Sequence, residues 1–137
     1  RRNAKSILPP RLDRLSKQCG LPYASVKINS SQGRWGSCST KKDINLSYYL
    51  VLLPSYLIDY VLLHELCHTR EMNHSERFWS LLNQFTEGKA LALRGELKKY
   101  RTDIKSSFVF ILLYRLFRQL LNSVFLFLKL IITPSFA

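Results

Sequence analysis

The chain has 137 residues, 47% of them apolar and 22% charged, which suits one domain or a domain with an appendage and excludes wholesale disorder. Lysine and arginine number 21 against 9 acidic residues, and the resulting charge of +12 favours polyanions or an anionic membrane surface while saying nothing about fold. Cys19, Cys38 and Cys67 are an odd number of cysteines, so a self-contained disulfide framework is not expected and a reducing, cytoplasmic setting is. The opening shows no charged-then-apolar signal pattern, and its first residue, Arg1 rather than Met, leads us to expect a preceding segment.

Residues 1–20 are basic: Arg1, Arg2, Lys5, Arg11, Arg14 and Lys17 stand against Asp13 alone. Pro9 and Pro10 predict a helix that opens there, carries Leu12, Leu15 and Cys19 on one side, and closes at Gly20. Ser25–Asn29 (SVKIN) alternates and is β-branched, which predicts a strand. Residues 32–40 (QGRWGSCST) are turn-rich, with Gly33 and Gly36 bracketing Arg34 and Trp35. Residues 43–53 begin as a second strand and run into Pro54, which suits the first turn of a helix over about 55–71. That helix is apolar on most sides, as expected of one passing through the middle of a small domain. Further helices are predicted from Ser75, carrying Phe78, Trp79, Leu82 and Phe85, and over residues 89–100. Strands followed mostly by helices make an α+β pattern.

All three histidines fall within eleven consecutive positions, HELCHTREMNH. His64 and His68 stand four apart on the predicted helix, so their imidazoles project from one face about a turn apart. Two nitrogens so placed can bind one Zn²⁺ at roughly 2.0–2.1 Å. Glu65, about 100° further round, can reach a metal-bound water without competing for the metal. A catalytic zinc commonly has three protein ligands and an open position. His74 supplies the third if the chain turns back, and Asn73 suits the left-handed residue that such a helix end uses. Burial adds to the case, because imidazoles and a carboxylate in an apolar helix are costly unless something satisfies them.

Four segments in order, about residues 5–100, resemble the YgjP-like metallopeptidase family, with a more distant likeness to SprT-like and WLM zinc proteases. They are ILPPRL from Ile7, RWGSCS from Arg34, the strand at Ile44 to Leu46 with Pro54 downstream, and YVLLHELCH from Tyr60 leading into NHSERFW from Asn73. The resemblance implies that His64, His68 and His74 are zinc ligands and Glu65 the catalytic base. It also implies a compact zincin-like domain over residues 1–105: an N-terminal helix, a small sheet, the metal-binding helix and following helices. Metzincins share the histidine spacing, but Glu71 stands at their glycine position.

The implied activity is hydrolysis of peptide or protein substrates by a zinc-activated water, and the strand at residues 44–48 is expected to offer a free edge to an extended peptide. The alternative from another class is a non-catalytic zinc- or nucleic-acid-associated module of the same fold, with Cys38 the obvious applicant for a fourth ligand. Arg34, Tyr48, Tyr49 and Arg77 have the chemistry to stabilise an oxyanion, with surface or packing roles as the ordinary alternative. Cys67, Trp35 and Trp79 read most simply as core. The basic opening could meet nucleic-acid phosphates, though no nucleic-acid-binding motif is visible and a solvated face is the commoner explanation.

Residues 106–137 lie outside the resemblance and form an apolar extension with no acidic residue. The stretch 108–132 is long enough to span a bilayer, yet Arg115, Arg118 and Lys129 interrupt it. Its apolar side chains contribute roughly −5 to −11 kcal/mol on an insertion scale and two central arginines cost about +5 to +7, a balance near zero. As a helix it gathers Arg115, Arg118, Gln119, Asn122 and Lys129 on one side, which favours lying on a membrane surface or packing on a partner over spanning. Covering the domain, or remaining disordered, is the third option.

Overall fold

Ala4, Leu8, Leu12 and Ser16 recur every fourth residue and are all buried, and that stripe holds the first helix, α1 (Arg2–Cys19), against the rest of the protein. In this computed structural model, residues 2–101 and 104–132 are described, with side chains for 3–100 and 112–132. The helix begins ahead of the proline opening expected from the sequence, so Pro9 and Pro10 lie inside it. Neither proline can donate to the carbonyls of Lys5 or Ser6, but both of those residues lie on the exposed side, where water can substitute. Leu12 is fully buried as expected, whereas Leu15 and Cys19 are only partly so. Gly20 does close the helix, at φ +64°, with Leu21 N–H bonded back to the Ser16 carbonyl at 3.1 Å.

Three strands form one sheet in the order β1-β3-β2: β1 (Ser25–Asn29), β2 (Gly36–Cys38) and β3 (Asp43–Ser47). β1 runs parallel to β3, with Ser25 opposite Asp43, and β2 runs antiparallel to it, with Ser37 opposite Asn45. The second predicted strand is therefore the central one. It has no free edge, which corrects the substrate-binding edge expected of it. Alternation sends Ile44 and Leu46, both fully buried, to the helical side. A short 3₁₀ turn (Tyr48–Leu52) then leads to Pro54 and α2 (Ser55–His68).

Ten side chains of α2, including Leu57, Leu62 and Leu66, are buried, so it is the central helix its composition suggested. Arg11 of α1 fastens its first turn, donating to Asp59 at 2.6 Å and to the Ser55 carbonyl at 2.9 Å. α3 (Glu76–Phe85) and α4 (Ala90–Arg101) follow and pack on α2. The contacts divide the chain into Arg1–Thr102 and a second unit, Asp103–Ala137, which contains the long helix α5 (Ile104–Ile132). The first unit is α+β, as the order of strands and helices indicated.

Candidate metal centre

His64 and His68 leave α2 from one face, as their spacing requires. The helix stops at His68, earlier than residue 71. Thr69 donates its hydroxyl to the Leu66 carbonyl at 2.6 Å, and the N–H groups of Arg70 and Glu71 both return to Cys67 at 3.1 and 2.9 Å. These bonds satisfy the last carbonyls and turn the chain without a left-handed residue at Asn73; among the described residues only Lys42 and Glu87 are non-glycines with positive φ. Ser75 caps α3 by accepting from Phe78 N–H at 3.4 Å, which leaves His74 in the short link between the two helices.

The three Nε2 atoms form a near-equilateral triangle. Its edges are 3.0 Å (His64 to His74), 3.2 Å (His64 to His68) and 3.1 Å (His68 to His74). Two nitrogens at 2.0–2.1 Å from a tetrahedral centre stand ~3.3 Å apart, so the triangle fits one small divalent cation. His68 fixes its own tautomer. Nδ1 lies 3.0 Å from the Glu71 carbonyl, which can only accept, so the proton sits there and Nε2 presents its lone pair to the triangle. Burial, followed by the neighbouring His68 and His74, pushes His64 down to about 3, and burial likewise lowers His68. Both imidazoles are therefore neutral at physiological pH, the form in which a histidine can hold a metal ion.

Aromatic rings hold the cluster. Phe78, fully buried, stacks on His68 at 4.5 Å and meets His64 and His74 edge-on at 4.8 and 4.9 Å. Trp79 lies nearly parallel to His74 at 6.1 Å, with Arg94 of α4 placed 5.4 Å over its ring. Trp79 thus belongs to the site rather than to the core.

The histidines face a cavity of about 680 Å³ whose wall includes β2, Glu65, Trp79 and Arg94. Glu65 is 6% exposed, and its burial, only partly offset by Arg34, pushes the carboxyl up to about 8. β2 passes directly over it. A Cβ on Gly36 would come within 2.9 Å of Glu65 Cγ and 3.0 Å of Oε1, so this close approach requires glycine. Ser47 N–H bonds to Trp35 O, and Ser39 N–H to Asp43 O, both at 2.9 Å. By antiparallel alternation the N–H and C=O of Gly36 and Cys38 then point to the outer edge of β2.

Of the four oxyanion candidates, Arg34 alone lines this cavity. Tyr48 and Tyr49 place their hydroxyls 2.9 Å apart elsewhere, and Arg77 lines a separate depression with Arg70 and Gln84. Cys38 lines the cavity, but the metal-capable group among the described residues is His64, His68 and His74 without it. Cys67 is fully buried, as expected of core. Sequence reasoning missed Tyr60 and Arg94. Tyr60 stands one turn before His64, a spacing that could have flagged it; nothing near Arg94 in sequence marks it. Tyr60 Oη and Trp35 Nε1 are, among the described residues, the buried side-chain polar atoms without a partner, and both residues line this cavity.

Residues 1–100 match the family model described as YgjP-like, metallopeptidase domain. The chain belongs to the YgjP-like metallopeptidase family. Among solved structures it is similar to the crystal structure of the metallopeptidase zymogen of Pyrococcus abyssi abylysin, with a TM-score of 0.60 and 21% identity over 68% of this chain and 93% of that one. At that identity the likeness speaks to the fold alone. No curated protein matches the chain. This YgjP-like domain therefore has a metallopeptidase fold and a three-histidine group able to hold a metal ion.

Proposed function

We propose that the protein is a zinc-dependent peptidase in which His64, His68 and His74 hold the ion and Glu65 is the general base. The observation that carries this reading is the triangle of Nε2 atoms beside a cavity that Glu65 also lines. A bound Zn²⁺ supplies Lewis acidity, polarising a peptide carbonyl and lowering the pKa of water toward 7. With a dication held by the neighbouring histidines, the Glu65 side chain would be favoured as the ionised carboxylate over the protonated form that burial alone favours. Glu65 then takes a proton from the water that attacks the carbonyl carbon and delivers it to the leaving amine nitrogen as the C–N bond breaks. The outer edge of β2, rather than β3, presents Gly36 and Cys38 backbone groups to an extended peptide by β-addition.

A non-catalytic site would fill its fourth position with a protein ligand. Cys38, the applicant, stands outside the histidine group, and its thiol is pushed up to about 11, chiefly by burial. The test is zinc content together with cleavage of casein by the wild-type and Glu65→Gln proteins. Zinc should be retained and cleavage should fall by about 10²–10⁴-fold. Wild-type cleavage by a zinc-loaded Glu65→Gln protein would refute the assignment.

A further inference from the structure

We propose that α5 is a docking helix for anionic lipid, lying along the bilayer surface with its apolar face in the acyl boundary. Every described side chain of α5, residues 112–132, is exposed. Among them Phe117 is 62%, Leu120 63%, Phe125 66% and Leu130 76% accessible. Over residues 112–132, at ~100° per residue, Arg118, Lys129, Asn122, Arg115 and Gln119 fall within an arc of roughly 100° shared there only with Leu126, and Ser123 lies about 40° beyond its end. The rest of the circumference is Leu, Ile, Val, Phe and Tyr. That arc is far wider than the two-in-seven seam by which one helix pairs with another. Its width matches immersion in a fluid apolar phase better than a single partner helix.

Charge selects the lipid. No acidic residue occurs from Ile104 to the end of the chain, whereas Arg115, Arg118 and Lys129 of that arc are cationic. Such a stripe complements the headgroups of an anionic leaflet. Orientation follows from the same stripe. Among the described residues no helix is long and apolar enough to cross a membrane. Arg115 and Arg118 fall near the middle of α5, so a perpendicular helix would submerge both, while one lying flat keeps the whole stripe among headgroups.

The test is flotation of the full chain with phosphatidylcholine vesicles, with and without phosphatidylglycerol. Two full-chain variants, Arg115→Glu/Arg118→Glu and Leu113→Asp/Leu120→Asp, are compared, with circular dichroism confirming that the fold is retained. The protein should float with the anionic vesicles and be released by alkaline carbonate. Loss of the two arginines should weaken binding by at least about tenfold, and the aspartates should abolish it. Equal binding to pure phosphatidylcholine would refute the charge selection, and resistance to carbonate would mean a span. Failure to float, whether the chain sediments as a monomer or as a dimer paired through α5, would overturn the proposal.

Discussion

The Glu65 side chain leaves α2, is buried, and lies against the backbone of Gly36, and two predictions follow from that placement. Gly36→Ala forces a methyl group into the carboxylate side chain, an overpacking expected to cost about 1–3 kcal/mol. Urea denaturation would measure that loss, and peptide cleavage should fall more than tenfold because Glu65 is displaced; unchanged turnover would show the contact to be idle. The second prediction concerns pH in the metal-free protein. Glu65 titrates at about 8 when folded against an ordinary 4.5, so the folded state holds an extra proton between those values, and stability is lost as pH rises through 8. His64 behaves oppositely: held near 3 against an ordinary 6.5, it contributes stability above 6.5 that is lost as pH falls toward 3. From pH 6.5 to 8 the Glu65 effect therefore stands clear of the His64 one. Chelated wild-type protein should lose stability over that interval in urea titrations, and Glu65→Gln should not. At this scale the sequence was most legible where chemistry is local. The spacing of His64, His68 and His74 in one short stretch suffices to read the metal-capable group, whereas Arg94 reaches the cavity through packing of a different helix.

The second ring of the site is built by elements. Phe78 touches all three imidazoles because Ser75 starts α3 immediately after His74. Phe78→Ala should cost about 3–5 kcal/mol, read from thermal or urea unfolding. Zinc affinity should weaken by about 10–100-fold in a competition titration, because the rings lose the wall that orients them. Retained affinity would mean that the turn bonds after His68 position the ligands by themselves. β1 was readable to the residue since alternation and β-branching agree there. α1 was not: the prolines suggest a beginning, but the apolar repeat that starts at Ala4 outweighs the two lost hydrogen bonds. The end of α2 was misplaced because Thr69 and the bonds returning to Cys67 do what Asn73 seemed suited to do. Strand order could not be read at all. Whether β3 lies inside or at an edge depends on pairing between segments, and no single strand encodes it.

Across the whole molecule, the metal should act as a stabiliser. Zinc present at 100 times its Kd adds about 2.7 kcal/mol to the folded state if the unfolded chain does not bind it. For a domain of this size that is a rise in Tm of roughly 10–20 °C, which a chelator should abolish in a thermal scan. A Tm indifferent to chelator would count against a metal centre in Arg1–Thr102. The measured rise should nevertheless fall short of the full value, for a reason that lies in the arrangement of the ligands. All three histidines belong to one stretch of eleven residues, running from the last turns of α2 to just before α3, and none comes from the sheet. Closing so short a loop costs little entropy, so a disordered chain can already grip the ion through the same imidazoles. Zinc would thus reward the unfolded chain as well, and it could seed the helical corner of the domain before the strands have met.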